Sequence, residues 1–224
     1  MSTRSAETGR RERLAVDSDI GTTGGPSGNE QLTAATGVIL LVLLAALGIT
    51  ILRIGQLTWL HFFLGLLLIG PVGLKMASTG YRFTRFYTGT PAYVRKGPPE
   101  MWLRLLAPGV VLTTVVVFAS GVALLFLGPT NRDPWFLIHK ASFILWLGAT
   151  GLHVLGHLPG MASSLRAPSL AGTSARGGQA GGAGRLIVLA GAIVGGVVLA
   201  IVLIPDFATW TAHQALWQHH HHDG

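Results

Sequence analysis

The chain has 224 residues, half of them apolar and only 11% charged, with a mean hydropathy of +0.53. A soluble globular domain carries about 25% charged residues, so this is the composition of a membrane protein. The absence of cysteine excludes disulfides, thiolate metal sites, iron–sulfur clusters and covalently attached c-type haem. The net charge of +7 gathers in loops beside apolar segments, a placement that topology explains and nucleic-acid binding does not.

Residues 1–33 mix Gly, Ser, Thr and both signs of charge without apolar periodicity, which predicts a disordered tail. The apolar run after it is too long and too distant to be the core of a secretory signal. Five apolar segments follow, at about 34–53, 57–77, 104–128, 134–159 and 185–205. Each is near or above the roughly 20 residues that a helix needs to cross the hydrocarbon. Inside a bilayer only helix satisfies the backbone of such segments. The expected fold is therefore all-α, a polytopic membrane bundle with a four-helix core over 34–160. A flexible Gly/Ala/Ser linker, 161–184, would tether a fifth transmembrane helix, 185–205. Its Gly191-x-x-x-Gly195 spacing predicts close packing against another helix. The last stretch, 206–224, is a His-rich tail in which Phe207, Trp210 and Trp217 recur at helical spacing, as in a short interfacial helix.

Orientation follows from the basic residues. Arg82, Arg85, Arg95 and Lys96 lie between the second and third segments, flanked by Lys75 and Arg104, and Arg166, Arg176 and Arg185 lie around the later linker. The opposite side has Arg53, Arg132 and Lys140. The positive-inside rule then places the N-terminus in the cytoplasm and the C-terminus outside a plasma membrane. Trp59, Trp135 and Trp210 would mark the outer interface and Trp102 the inner one. The loop 78–102 interleaves cations with aromatic rings. Its charges either set topology and attract anionic lipid, or Arg82 and Arg85 pair with haem propionates or dock an acidic redox partner.

His61, His139, His153 and His157 sit in or at the rims of apolar segments, where a bilayer penalises ionisable groups and their presence suggests function. With the topology above, the second and fourth helices run in the same direction. His61 and His139 each lie about one turn into their helices, at matched depth near the outer surface. A haem iron needs two axial imidazoles so placed, within apolar walls. Phe62, Phe63, Phe143 and Trp146 could supply those walls, and Gly65 leaves room for a flat macrocycle. His153 follows His139 by fourteen residues, on the same face and roughly 21 Å deeper, with His157 one turn beyond. A second haem there would need a partner, and the matching place on the second helix holds Lys75, then Met76. The same histidines could instead hydrogen-bond between the helices of a non-redox scaffold, and His157, just before Leu158-Pro159-Gly160, also suits a helix end. His219, His220, His221 and His222, with His213 before them, form a tract able to bind Zn, Ni or Cu.

The run His139-Lys-Ala-Ser-Phe-Ile-Leu-Trp-Leu-Gly-Ala-Thr-Gly-Leu-His153-Val-Leu-Gly-His157 resembles the late helix of a four-helix cytochrome b core. The likeness is to the bacterial cytochrome b561 and formate dehydrogenase or hydrogenase gamma-subunit superfamily, and His61 is similar to one of its earlier partner histidines. Ser78-Thr-Gly-Tyr-Arg-Phe83 through Lys96-Gly-Pro-Pro99 also resembles uncharacterised actinobacterial membrane proteins of this type. The resemblance covers about 34–160 and departs in one respect, since the first helix lacks the expected histidine. It implies haem b, on His61 and His139 and, for a second haem, His153 or His157. It further implies an electron-transfer subunit rather than a stand-alone enzyme, working between a quinone or membrane donor and a partner redox protein. The alternatives are a scaffold or anchor subunit and a metal-handling protein using the histidine tail. No phosphate loop, dinucleotide fingerprint, zinc-protease motif or nucleophile setting is present. The apolar helices hold no carboxylate for an acidic relay, which argues against a cation-coupled transporter.

Overall fold

A computed structural model describes residues 25–95, 101–166 and 182–212, and every regular element among them is helical. In chain order these are α1 (Gly25–Leu52), α2 (Ile54–Tyr87), α3 (Pro91–Arg95), α4 (Met101–Leu127), a 3-10 turn (Pro129–Asn131), α5 (Trp135–Arg166), α6 (Gly182–Val202) and α7 (204–212). Five of them, α1, α2, α4, α5 and α6, are long and apolar enough to cross a membrane. Large apolar side chains point outward, with Leu52 83% and Leu105 79% exposed. Water would make that surface an aggregation hazard, whereas lipid tails solvate it. The all-α multi-pass architecture expected from the sequence is the one the chain adopts.

The boundaries differ in instructive ways. α1 begins at Gly25, so 25–33 is helix rather than disordered tail. α2 runs on to Tyr87, through much of the expected basic loop. α5 continues to Arg166, and α6 starts at Gly182, which shortens the expected linker at both ends. Residues 1–24, 96–100, 167–181 and 213–224 lie outside the described residues, Lys96 of the expected basic loop among them. The rest of the tail and linker, Trp217, His213 and the tract His219–His222 lie there too.

The chain divides into two compact units. The first takes in the chain up to Ile39, Val72–Pro98 and Ser169–Ala192. Within it, polar groups zip α1 to α2. The Asn29 amide donates to the Ser78 carbonyl at 3.2 Å, and the Thr33 hydroxyl donates to Ser78 Oγ at 3.1 Å. Lys75 Nζ donates to the Thr33 carbonyl at 2.7 Å. Gly37 gives the ammonium its space, since a Cβ there would lie 3.3 Å from Nζ. Arg82 pairs with Glu30 at 3.3 Å, and the Arg85 guanidinium lies 5.7 Å from the Tyr81 ring centre. These contacts explain both boundary shifts, because Asn29, Glu30 and Thr33 find partners on α2 at Ser78, Lys75 and Arg82. They also redirect two residues. Lys75 bonds α1 instead of matching a haem ligand, and Arg82 holds a glutamate of its own chain. Half-exposed, the Arg82–Glu30 pair contributes at most about 1 kcal/mol.

The second unit comprises Leu40–Pro71, Pro99–Pro168 and Ile193–Gly224. Between α1 and α2 the Arg53 carbonyl accepts from the amides of Gln56 and Leu57, both at 2.9 Å. Leu57 leaves helical geometry (φ −113°, ψ 19°), so the chain turns back on itself there. α4 and α5 pack along each other across the turn at Pro129–Asn131. The fifth membrane helix is no loose tether here. Leu66, Leu125, Ala200 and Phe207 form a buried core from α2, α4, α6 and α7. The backbone of Leu67 approaches Gly196 so closely that a Cβ would collide with its carbonyl oxygen. Gly191 and Gly195, the spacing expected to pack, face nothing within 4 Å. One residue of rotation separates the expected contact from the real one. Phe207 is only 1% exposed. Its ring lies 5.4 Å from Phe62 and 5.9 Å from Trp59, and Trp210 lies 5.8 Å from Phe62. The stretch read as interfacial is therefore helical, but its Phe207 faces inward.

Candidate functional site

His61 and His139 both lie in the second unit, each held by a neighbouring helix. His61 projects from α2 toward the last turn of α1, where its Nδ1 meets Thr50 Oγ1 at 2.9 Å. Thr50 is almost fully buried, and its hydroxyl also contacts the Leu47 carbonyl at 2.6 Å. A hydroxyl has one proton to give, and a carbonyl can only accept. The proton of Thr50 therefore goes to Leu47, and the oxygen of Thr50 accepts from His61. That places a proton on His61 Nδ1, and in the neutral ring Nε2 keeps its lone pair.

His139 reaches the same state from α5. Its Nδ1 lies 3.0 Å from the Val117 carbonyl of α4, so Nδ1 must donate. Ser120 Oγ is a further neighbour at 3.1 Å. Its hydroxyl back-bonds to the Val116 carbonyl at 2.7 Å, the pattern by which serine settles inside a helix. Gly121 lets the ring lie against α4, since a Cβ at that position would come within 3.1 Å of His139 Cε1. His61 and His139 thus lie in the same unit, each oriented by a neighbouring helix. The structure adds what sequence reasoning missed: Thr50, the Val117 carbonyl, Ser120 and Gly121. A hydroxyl or glycine in an apolar run carries no mark of the helix it will touch.

The surrounding aromatic residues are placed differently from expectation. Phe63 stacks on Trp59 at 5.4 Å, and Phe62 packs on Phe207 and Trp210. Both serve the contact with α6 and α7. Phe143 stacks with Trp146 at 6.2 Å, and the Trp146 indole donates to Thr114 Oγ1 at 3.0 Å. Gly65 has open space around it. His153 lies further along α5, partly buried. The side chain of His157 lies outside the described ones. Among the described residues, no group of three or more His, Cys, Asp or Glu gathers as a metal site. The arrangement turns Nδ1 of each imidazole to an acceptor on a neighbouring helix.

Comparisons of the chain with protein families, curated proteins and solved structures return no match.

Proposed function

We propose that this chain is a membrane-bound b-type cytochrome in which His61 and His139 are the axial ligands of one haem b. The observation that supports the reading is the hydrogen-bond geometry that the two rings share. Both rings turn Nδ1 to an acceptor on a neighbouring helix, and a neutral imidazole so held presents its Nε2 lone pair, the form in which it binds a metal. The donor set fits the group: two histidines from different helices in apolar surroundings, with open space at Gly65. When bound, haem supplies one-electron chemistry that its ligands and surroundings tune. The chain itself binds through α2 and α5, orients the rings through α1 and α4, and keeps bulk water away with its apolar helices. His153 has no histidine to face on α1, α4 or α6, so the reading is one haem.

The positive-inside rule puts the His61 end of α2 toward the outer surface of the plasma membrane. Electrons would then pass between a quinone or other membrane donor and a redox protein met on that side. The rival is a non-redox scaffold, in which the bonds to Thr50 and Val117 are all that the histidines do. A dithionite-reduced minus oxidised spectrum of the purified full chain, expressed with ample haem, separates the two. Sharp α and Soret bands at one haem per chain are expected. A colourless protein overturns the cytochrome reading and leaves the scaffold.

A further inference from the structure

We propose that α1 and α4, which carry no histidine, are the orienting helices of this site, and that Thr50 is the positioning residue that fixes His61 as an Nε2 ligand. The proposal rests on the cytochrome reading above. The argument starts from the isolated side chain. In water a neutral histidine keeps its proton mainly on Nε2, which is the wrong tautomer for an Nε2 ligand. Something must hold the proton on the other nitrogen, and that partner has to be an acceptor.

The chain meets this need twice with the same device. On α1, Thr50 gives its only proton to Leu47 at 2.6 Å, and its oxygen faces His61 Nδ1 at 2.9 Å. On α4, Ser120 gives its proton to Val116 at 2.7 Å and sets its oxygen 3.1 Å from His139 Nδ1, beside the Val117 carbonyl. A hydroxyl bonded back to its own helix thus becomes an acceptor aimed at an imidazole on the next one. The Arg53–Leu57 turn makes this possible for Thr50, by folding α2 back along the end of α1. The first helix lacks a histidine, yet it contributes to the site through this hydroxyl. On α4 a backbone carbonyl shares the duty, so Ser120 is the less critical of the two hydroxyls. Among the described residues, Thr50 is the acceptor that His61 Nδ1 meets.

An acceptor on Nδ1 also makes the imidazole a stronger donor through Nε2. Such a donor favours the oxidised metal. Thr50→Val keeps the shape of the side chain and removes the acceptor, whereas Thr50→Ser keeps the acceptor. The test uses the full chain in nanodiscs with 15N-labelled histidine. In the haem-free protein, NMR is expected to find His61 and His139 protonated on Nδ1. Thr50→Val moves the His61 proton to Nε2 and leaves His139 unchanged, and Thr50→Ser matches the wild type. With haem added, Thr50→Val is expected to weaken binding by about 10–100-fold and to raise the reduction potential, and Thr50→Ser restores both. A wild-type His61 protonated on Nε2, or a Thr50→Val protein with the wild-type tautomer and potential, overturns the proposal. A wild-type chain that takes up no haem overturns the cytochrome reading instead, and the tautomer measurement, which needs no haem, judges Thr50 separately.

Discussion

Gly196→Leu is expected to part α6 from α2 and to destabilise the second unit by about 3 kcal/mol, the upper end of ordinary overpacking penalties. The cause is geometric. The obstacle to a side chain at 196 is the backbone of Leu67, which cannot rotate aside as a side chain would. The helices must separate, and separation uncovers Ala200, Leu66 and Phe207, now nearly or fully buried. Gly195→Leu is the control, because nothing lies within 4 Å of that position. It should be neutral or slightly stabilising, since leucine favours helix over glycine by somewhat under 1 kcal/mol. Denaturant unfolding in detergent, followed by tryptophan fluorescence, reports on Trp59 and Trp210 at this contact. Equal stability for the two variants would mean that Gly196 is not the packing position.

The second large effect is expected at the histidines. His61→Ala and His139→Ala should each abolish the Soret band of haem-loaded protein, a loss beyond the roughly 100-fold limit of outer-shell changes. His153→Ala should leave the haem content unchanged. Unfolding does not confuse the result. Removing either ring leaves behind only oxygens that keep other bonds: Thr50 still donates to Leu47, and Ser120 to Val116. Circular dichroism of the variants should therefore retain the wild-type helical signal. Full haem occupancy in either variant would sink the assignment of that ligand.

The five membrane helices were legible because length and apolar composition suffice to define a transmembrane segment. The matched depth of His61 and His139, on which the proposed haem site rests, is counted along the helices from the sequence. What escaped were the features that depend on which helix lies alongside. Gly195 and Gly196 are adjacent and chemically identical, and only the rotation of α6 against α2 tells them apart. Thr50 reads as one polar residue in an apolar run, until the turn after it brings His61 within 2.9 Å. The start of α1 was missed because Asn29, Glu30 and Thr33 show no apolar pattern. Their helix is supported by partners on α2 rather than by burial of a greasy face.

The polar zipper between α1 and α2 also bears on how the chain is made. Synthesis runs from the N-terminus, so Asn29, Thr33 and Gly37 leave the ribosome before Ser78 and Lys75. When Lys75 reaches the bilayer, the carbonyl that it bonds is already there. Translocon scales set the insertion cost of a lysine at a helix centre at about 2.5–3.5 kcal/mol, and α2 alone would bear whatever share of that its depth imposes. Beside α1 the ammonium enters with its acceptor, in the space that Gly37 leaves. A glycosylation reporter placed after α2, with α1 present or replaced by an unrelated leader, measures the difference. Insertion of α2 is expected to fall when α1 is replaced, and equal insertion behind either leader would mean that the bond from Lys75 to Thr33 forms only after both helices are in lipid.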